Sequence, residues 1–175
     1  GRDLDELFYH DFYNNNIDEL KYRPEDPRVQ RLEHEYSASV DALREKLIQM
    51  DNGYWLYCNV NGGFRNQAAL GRFYFNLKPD YVGKFFAQAA EVFRNEGLHI
   101  QMKIPLHGDA KAFNRLDKMV VYFEADEEQK ILQVLEILYR GNAEAFDETG
   151  TPRFTAQVKD AKGKYMAGIG FAEEP

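Results

Sequence analysis

The sequence predicts a single α+β domain in which a mixed β-sheet of about five to six strands is packed by three main helices. Two observations lead to this prediction. Segments rich in aromatic and β-branched residues alternate with segments whose apolar residues recur every three or four positions, so that strand, helix and strand follow one another twice. The chain has 175 residues, the length of one domain, and at this size roughly 70% of the unfolded surface is buried without a disulfide or a metal.

The first elements of this domain, which we assign to residues 1–175, are helical. Residues 1–26 are predicted as a helical, aromatic lead-in, interrupted by three asparagines at residues 14–16 that compete for backbone hydrogen bonds. From residue 27 to residue 50, apolar side chains recur every three or four positions, which predicts an amphipathic helix of about six turns. The turn residues 51–53 end this helix.

Strand signals and two further helical stripes follow along the chain. Aromatic and β-branched segments predict strands at residues 54–60, 72–77, 98–104, 119–123 and 154–158. Apolar stripes at helical spacing predict helices at residues 79–95 and 126–141. Residues 105–114 are predicted as a loop, and the glycines of residues 168–170 alone are too weak a signal for a nucleotide site.

Charge and composition exclude several classes of function. The net charge is −7 and the pI is near 5.2, whereas a non-specific nucleic-acid binder normally carries a basic excess. No stretch approaches the ~18 consecutive apolar residues that a membrane-spanning helix needs, so we expect no membrane partner. The single cysteine, Cys58, excludes an internal disulfide, and its apolar strand favours an inert packed thiol over a nucleophile. These features favour a cytoplasmic protein.

Motifs for metals and common cofactors are absent from the sequence. The histidines are scattered without the spacing of metal ligands: His10, His34, His99 and His107. No nucleophile-elbow motif, Walker loop or dinucleotide-binding glycine motif occurs. We therefore expect neither a metal nor a cofactor.

One pattern indicates chemistry: basic and hydroxyl-bearing side chains recur on polar strand faces. Arg72 and Tyr74 share one face of the second strand because side chains alternate along a strand, and Lys103 lies on the polar face of the third. The other members of the pattern lie in or before the fourth and fifth strands: Arg115, Tyr122 and Arg153. If the strands are neighbours, these side chains converge on one phosphate-like anion; alternatively, they are ordinary solvent-facing charges.

Four segments carry a resemblance to a known family. They are RFYFNLKP at residues 72–79, RLD before VYF within residues 115–123, PRFT at residues 152–155, and GIGFAEEP at residues 168–175. In this order they resemble the HopA family, first named for a type III effector of plant-pathogenic bacteria. Related domains occur in gene clusters for modified peptides such as class V lanthipeptides. The resemblance covers about residues 54–175.

The resemblance implies a fold and a reaction related to those of the OspF and SpvC phosphothreonine lyases. These enzymes cleave phosphate from phosphothreonine by β-elimination, without a metal or a cofactor. By its position at the end of the third strand, Lys103 matches the lysine that acts as the base. The residues that the resemblance and the polar face together assign to phosphate binding are Arg72, Arg115, Arg153 and Tyr122.

The chain departs from the lyases at one position of consequence. Two residues after Arg72, where the lyases have a histidine that acts as the general acid, this sequence has Tyr74. The hydroxyl of a tyrosine can donate a proton, although its reference pKa of about 10 lies further from neutrality. The candidate replacement acids are Tyr74, Tyr122 and His107.

Two functions follow as expectations. The first is a phosphoserine/phosphothreonine lyase that acts on a phosphorylated precursor peptide or protein supplied by a partner kinase, leaving dehydroalanine or dehydrobutyrine. The second is a non-catalytic HopA-type effector or interaction domain, which binds a partner protein or a phosphopeptide and, as an effector, is secreted into a host cell. The departure at Tyr74 leaves both open.

Overall fold

One antiparallel sheet of seven strands organises the part of the chain that the structure, a computed structural model, describes: residues 20–46, 50–66 and 70–173. The strands are β1 Met50–Asp51, β2 Trp55–Val60, β3 Leu70–Phe75, β4 Ile100–Pro105, β5 Met119–Glu124, β6 Ala156–Lys159 and β7 Tyr165–Glu173. They lie in the order β1-β2-β4-β5-β3-β7-β6. Most of the predicted lead-in, residues 1–19, lies outside the described residues.

The predicted α+β class is confirmed, and the sheet is antiparallel rather than mixed. Each neighbouring pair of described strands runs antiparallel. The strands β3 and β4, which a helix connects, do run in the same direction, but β5 pairs with both and separates them. A strand–helix–strand pattern in the sequence therefore predicts that the two strands run in the same direction, but it does not show that they are neighbours in the sheet.

The described part of the chain contains three long helices, as predicted. The helices are α1 Pro27–Lys46, α2 Val82–Asn95, the short α3 Ala110–Phe113, and α4 Glu128–Gly141. Helix α3 falls in the segment predicted as a loop; Asp109 begins it, because its carboxylate accepts a hydrogen bond from the backbone N–H of Ala112 at 2.8 Å. No helix among the described residues is long and apolar enough to cross a membrane.

The long helices cover one face of the sheet and enclose the core there. Phe73 of β3 stacks on Phe123 of β5 with ring centroids 4.9 Å apart, and Phe75 meets Phe85 of α2 at 5.9 Å. All four rings are at most 1% exposed. Because side chains alternate along a strand, the residues between these aromatics project from the opposite face of the sheet.

The strand register aligns side chains on that opposite face. Lys103 of β4 pairs with Val120 of β5, which in turn pairs with Tyr74 of β3, so these three residues form one row across neighbouring strands. The next row consists of Gln101, Tyr122 and Arg72. The sheet order thus places the strands that carry most of the predicted site residues side by side.

Candidate functional site

The indole ring of Trp55, at the start of β2, lies at the centre of the candidate site. Lys103 Nζ lies 4.1 Å from the ring centroid, and the guanidinium carbon of Arg115 lies 5.0 Å from it. Lys103 Nζ also lies 5.5 Å from the ring centroid of Tyr122. These distances are within the range at which an aromatic face attracts a cation. The register explains the meeting, because Trp55 pairs with Pro105, two residues beyond Lys103 on β4.

A buried carboxylate orients Arg115. The Nε and Nη2 groups of Arg115 donate to the two carboxylate oxygens of Asp117 at 2.8 and 2.9 Å, which is a bidentate geometry. Asp117 is 2% exposed, and burial raises the pKa of its carboxyl group, while the positive charges of Arg115 and Lys103 act in the opposite direction. The pair fixes the plane of the guanidinium beside Trp55.

Arg72 and Tyr74 form the other side of the site, on β3. The guanidinium carbon of Arg72 lies 5.5 Å from the ring centroid of Tyr74, and Arg72 pairs with Tyr122 across to β5. Tyr74 is only 2% exposed, whereas Arg72 and Tyr122 are half-buried. The predicted residues that the structure brings to this sheet face are Lys103, Arg115, Tyr122, Arg72 and Tyr74.

Arg153 lies on a different element from the other predicted residues. It is exposed in a turn before β6, and this turn packs closely on Gly170 of β7, where a Cβ atom would lie 2.6 Å from Oγ1 of Thr155. Gly170 pairs with Tyr74, so the turn crosses the sheet face beside that tyrosine. Among the described residues, the contacts that join the other five predicted side chains do not include Arg153.

Lys118 is not among the predicted site residues, and its burial was not predicted, yet it supports the site from inside. It is 2% exposed, and its Nζ donates to Oδ1 of Asn76 and to the backbone carbonyl of Arg115, both at 2.6 Å. Burial lowers the pKa of Lys118 to about 8, while the carboxylates of Asp147 and Asp117 act in the opposite direction. Lys118 therefore ties the backbone of the anion-binding candidate Arg115 to the end of β3.

Asn76 extends this network to the segment that leads to β6. Its side-chain amide donates to the carbonyl of Gly150 at 2.7 Å and to Oγ1 of Thr149 at 3.3 Å. Its backbone N–H donates to the carbonyl of Gly168, and its own carbonyl accepts from the N–H of Asp147, both at 2.8 Å. Gly168 has a φ of +86°, which a residue with a Cβ adopts with difficulty. The glycine segment of residues 168–170 thus has a structural role.

Trp55 and Lys118 are central to the site but are not among the predicted site residues, and they differ in how strongly the sequence indicates their positions. Alternating buried and half-buried residues along β2 place Trp55 on the polar face, so the period-2 pattern could have found it. Lys118 gives no such signal, because lysine is seldom buried and its partner Asn76 is 42 residues away in the chain.

The remaining reactive residues lie outside this cluster. Cys58 is buried on the helix-covered face of the sheet, and burial raises the pKa of its thiol. His107 is exposed at the rim of a cleft beside Trp55, and His10 lies outside the described residues. Within the described ranges, no three His, Cys, Asp or Glu side chains converge as the ligands of a metal ion would.

Fold and site together define an α+β protein with a cation-rich, aromatic site on the face of an antiparallel sheet opposite the long helices. The same fold occurs in the effector protein from Pseudomonas syringae pv. syringae strain 61, with a TM-score of 0.66 and 15% identity, covering 95% of this chain and 69% of that chain. The effector protein from Pseudomonas syringae pv. tomato strain DC3000 gives a TM-score of 0.67 and 16% identity over 99% of this chain and 70% of that chain. The type III effector/phosphothreonine lyase OspF from Shigella flexneri gives a TM-score of 0.48 and 13% identity over 98% and 91% of the two chains.

The model of the HopA1 effector protein family matches residues 48–175, and the chain belongs to this family. The resemblance that the four sequence segments carry is thereby confirmed. No individually curated protein matches the sequence at a significant level.

Proposed function

We propose that this chain is a lyase that eliminates phosphate from phosphoserine or phosphothreonine in a peptide, leaving dehydroalanine or dehydrobutyrine. The observation that carries the proposal is the meeting of Lys103 and Arg115 on the ring of Trp55, with Arg72 and Tyr122 in an adjoining row. Elimination requires a base beside cations that neutralise the departing phosphate. The setting that we propose is modified-peptide biosynthesis, in which a partner kinase supplies the phosphorylated precursor.

Lys103 is the proposed base. In its neutral form it takes the α-proton of the phosphorylated residue, the electrons of that C–H bond form the Cα=Cβ double bond, and the Cβ–O bond breaks. The phosphate departs with the bridging oxygen and the bonding electrons, and Lys103 becomes an ammonium group. The geometry supports this role, because Nζ of Lys103 and the guanidinium of Arg115 lie over the same indole ring. A phosphate bound by Arg115 would therefore hold the α-carbon of its residue near the amine.

The cations of the site are the proposed ligands of the phosphate. An arginine fork matches two phosphate oxygens, and Asp117 holds the fork of Arg115 in a fixed plane. Arg72 is placed on the opposite side of the site, and Arg153 is proposed to reach the phosphate from the turn that crosses the sheet beside β3. The hydroxyl of Tyr122 adds a hydrogen-bond donor.

Tyr74 is the proposed acid that returns a proton to the leaving oxygen. Its position matches the histidine of the lyases in sequence, and the guanidinium of Arg72 lies beside its ring. The phosphate would therefore leave as a protonated and neutralised group.

Replacing Lys103 tests the proposed base directly. Purified wild-type protein incubated with a phosphothreonine peptide, without added metal, is expected to yield a product lighter by one phosphoric acid in mass spectrometry. Lys103→Met keeps an unbranched side chain against Trp55 and removes the amine. We expect the rate to fall roughly 100-fold or more, since a positioned base contributes about 10²–10⁴ in rate.

The matched control is Lys162→Met, in the exposed turn between β6 and β7, which should retain the wild-type rate. Unchanged elimination by Lys103→Met would place the base elsewhere. Release of phosphate with recovery of the threonine hydroxyl would indicate hydrolysis and would refute the elimination mechanism.

A second candidate function is a non-catalytic effector or interaction domain that binds a partner protein or phosphopeptide. Two observations favour it: membership of the HopA1 effector protein family, and the buried Tyr74 where the lyases have a histidine. This candidate would be supported if the wild type bound the phosphopeptide without turning it over and Arg115→Ala weakened that binding. If the protein is such an effector, we expect it to be delivered into a host cell. If it is the lyase proposed first, we expect it in the cytoplasm.

A further inference from the structure

A cleft of about 490 Å³ opens beside Trp55, between the start of β2 and the segment that follows β4. Trp55 and Arg115 line both this cleft and the candidate phosphate site, so the two are continuous. The volume is typical of pockets that bind small ligands or peptide side chains, about 300–1,000 Å³. The reaction proposed above makes no use of this space.

Packed backbone fixes the walls of the cleft. The N–H of Leu106 donates to the carbonyl of Tyr54 at 2.9 Å, and the hydroxyl of Tyr36, from helix α1, donates to the carbonyl of Pro105. Gly108 lies directly against Tyr36, since a Cβ atom there would be 2.5 Å from Cδ1 of the ring. The cleft is therefore preformed, which lowers the entropy cost of binding.

The lining is apolar with a cationic edge. Tyr54 is 79% exposed and forms one wall with Trp55. Lys111 and Arg115 contribute positive charge, while the carboxylate of Asp109 is occupied by the backbone N–H of Ala112 in capping helix α3. Although the whole chain carries a net charge of −7, this edge is suited to a peptide that bears a phosphate.

We propose that this cleft is a subsite for a bulky apolar side chain, aromatic or branched aliphatic, close to the phosphorylated residue of a peptide. The proposal rests on the proposed function, because a phosphate on Arg115 places the neighbouring peptide residues over Trp55. An extended peptide advances about 3.3 Å per residue, so a side chain within two positions of the phosphorylated residue reaches the cleft. The exposed ring of Tyr54 supplies its main contact surface.

Fluorescence anisotropy with labelled peptides tests the subsite without relying on turnover. Phosphothreonine peptides are compared in four sets, one for each of the two positions on either side of the phosphorylated residue. The four peptides of a set share one sequence and carry phenylalanine, leucine, aspartate or glycine at that position. We expect the phenylalanine and leucine peptides to bind about five- to tenfold more tightly than the glycine peptide at one of these positions. Tyr54→Ala should reduce that advantage at least threefold and leave the affinity for the glycine peptide unchanged.

The control variant is Tyr165→Ala, which removes another exposed tyrosine, 52% exposed at the start of β7, and should leave every affinity unchanged. Equal binding of the four phosphopeptides in every set would overturn the subsite. The subsite would also be overturned if the aspartate peptide bound most tightly and Lys111→Ala abolished that preference. An apolar preference that persists in Tyr54→Ala would overturn it as well.

Unphosphorylated versions of the same peptides separate this proposal from the function on which it rests. A preference for phosphorylated peptides without a preference for apolar neighbours would refute the subsite alone. An apolar preference that depends on Tyr54 but is indifferent to phosphate would support the subsite and refute the phosphate site.

Discussion

Lys118 places a positive charge in the interior, and its burial has a thermodynamic consequence that can be measured. Its pKa is lowered from 10.5 to about 8, so the folded protein loses this proton at a lower pH than the unfolded chain does. Below pH 8 both states hold the proton and the full cost of the buried charge is present. As the pH rises from 8 towards 10.5, the unfolded state binds more protons than the folded state, and this cost is relieved.

We therefore expect the pH dependence of stability to differ between the wild type and Lys118→Met. Between about pH 7 and pH 9.5, the free energy of unfolding of the wild type should rise by about 2 kcal/mol relative to that of the variant. Denaturant titrations monitored by far-UV circular dichroism at several pH values measure the difference. A difference that stays constant across this range would show that Lys118 titrates normally, and would contradict the low pKa.

The elements that build the site meet at a few close contacts, and Gly108 is one of them. Helix α1 presses Tyr36 onto the segment after β4, where an added Cβ would lie 2.5 Å from Cδ1 and 2.6 Å from Cγ of a buried ring. The ring is held in place because its hydroxyl donates to the carbonyl of Pro105. An added Cβ could therefore be accommodated only if helix α1 and the segment after β4 moved apart. Helix α1 thus positions one wall of the cleft, although it carries no family signature.

Gly108→Ala is expected to lower the free energy of unfolding by about 1–3 kcal/mol, the usual cost of overpacking, and to weaken phosphopeptide binding. Thermal unfolding and binding measured on the same preparation check both effects. The matched control is Gly141→Ala at the end of α4, where nothing lies within 4 Å of an added Cβ and stability should stay constant or rise slightly. Equal stabilities of Gly108→Ala and the wild type would show that the segment is free to shift.

Local signals predicted the elements better than their arrangement. The prediction for helix α1, residues 27–50, agrees closely with the observed Pro27–Lys46, because caps and apolar spacing are encoded within the helix itself. Strand β7 escaped prediction, since Gly168 and Gly170 interrupt its apolar alternation. The insertion of β5 between β3 and β4 depends on contacts between distant segments, which a single sequence does not report.

In the candidate site, too, local features could be predicted from the sequence and long-range contacts could not. Strand alternation correctly indicated that Arg72 and Tyr74 share a face, because that property is local. The role of Asp117 in orienting Arg115 was not apparent, although the two residues are neighbours in sequence, since it depends on the burial of the carboxylate. Burial is a property of the assembled sheet and the segments packed on it.

At the scale of the whole molecule, the sheet order predicts a gradient of local stability. Strands β4, β5 and β3 are flanked by partners on both sides, whereas β1 has two residues and β6 has four, and both lie at the edges. We expect amide hydrogen exchange to be slowest in β5 and its two neighbours and fastest in β1 and β6. Exchange measured by mass spectrometry on peptide fragments checks the order, and equal protection of edge and central strands would contradict this topology.

The position of Trp55 has a practical consequence of a different kind. It is the single tryptophan in the sequence, and its ring is in contact with both Lys103 and Arg115. Light emitted by indole therefore comes from the candidate site alone, free of any background from tryptophan elsewhere in the chain. An anion that draws the two cations away from the ring changes the electric field across it, and hence the wavelength of the indole emission. The protein thus contains its own optical reporter of occupancy, and ligands can be screened without a label or an assay for turnover.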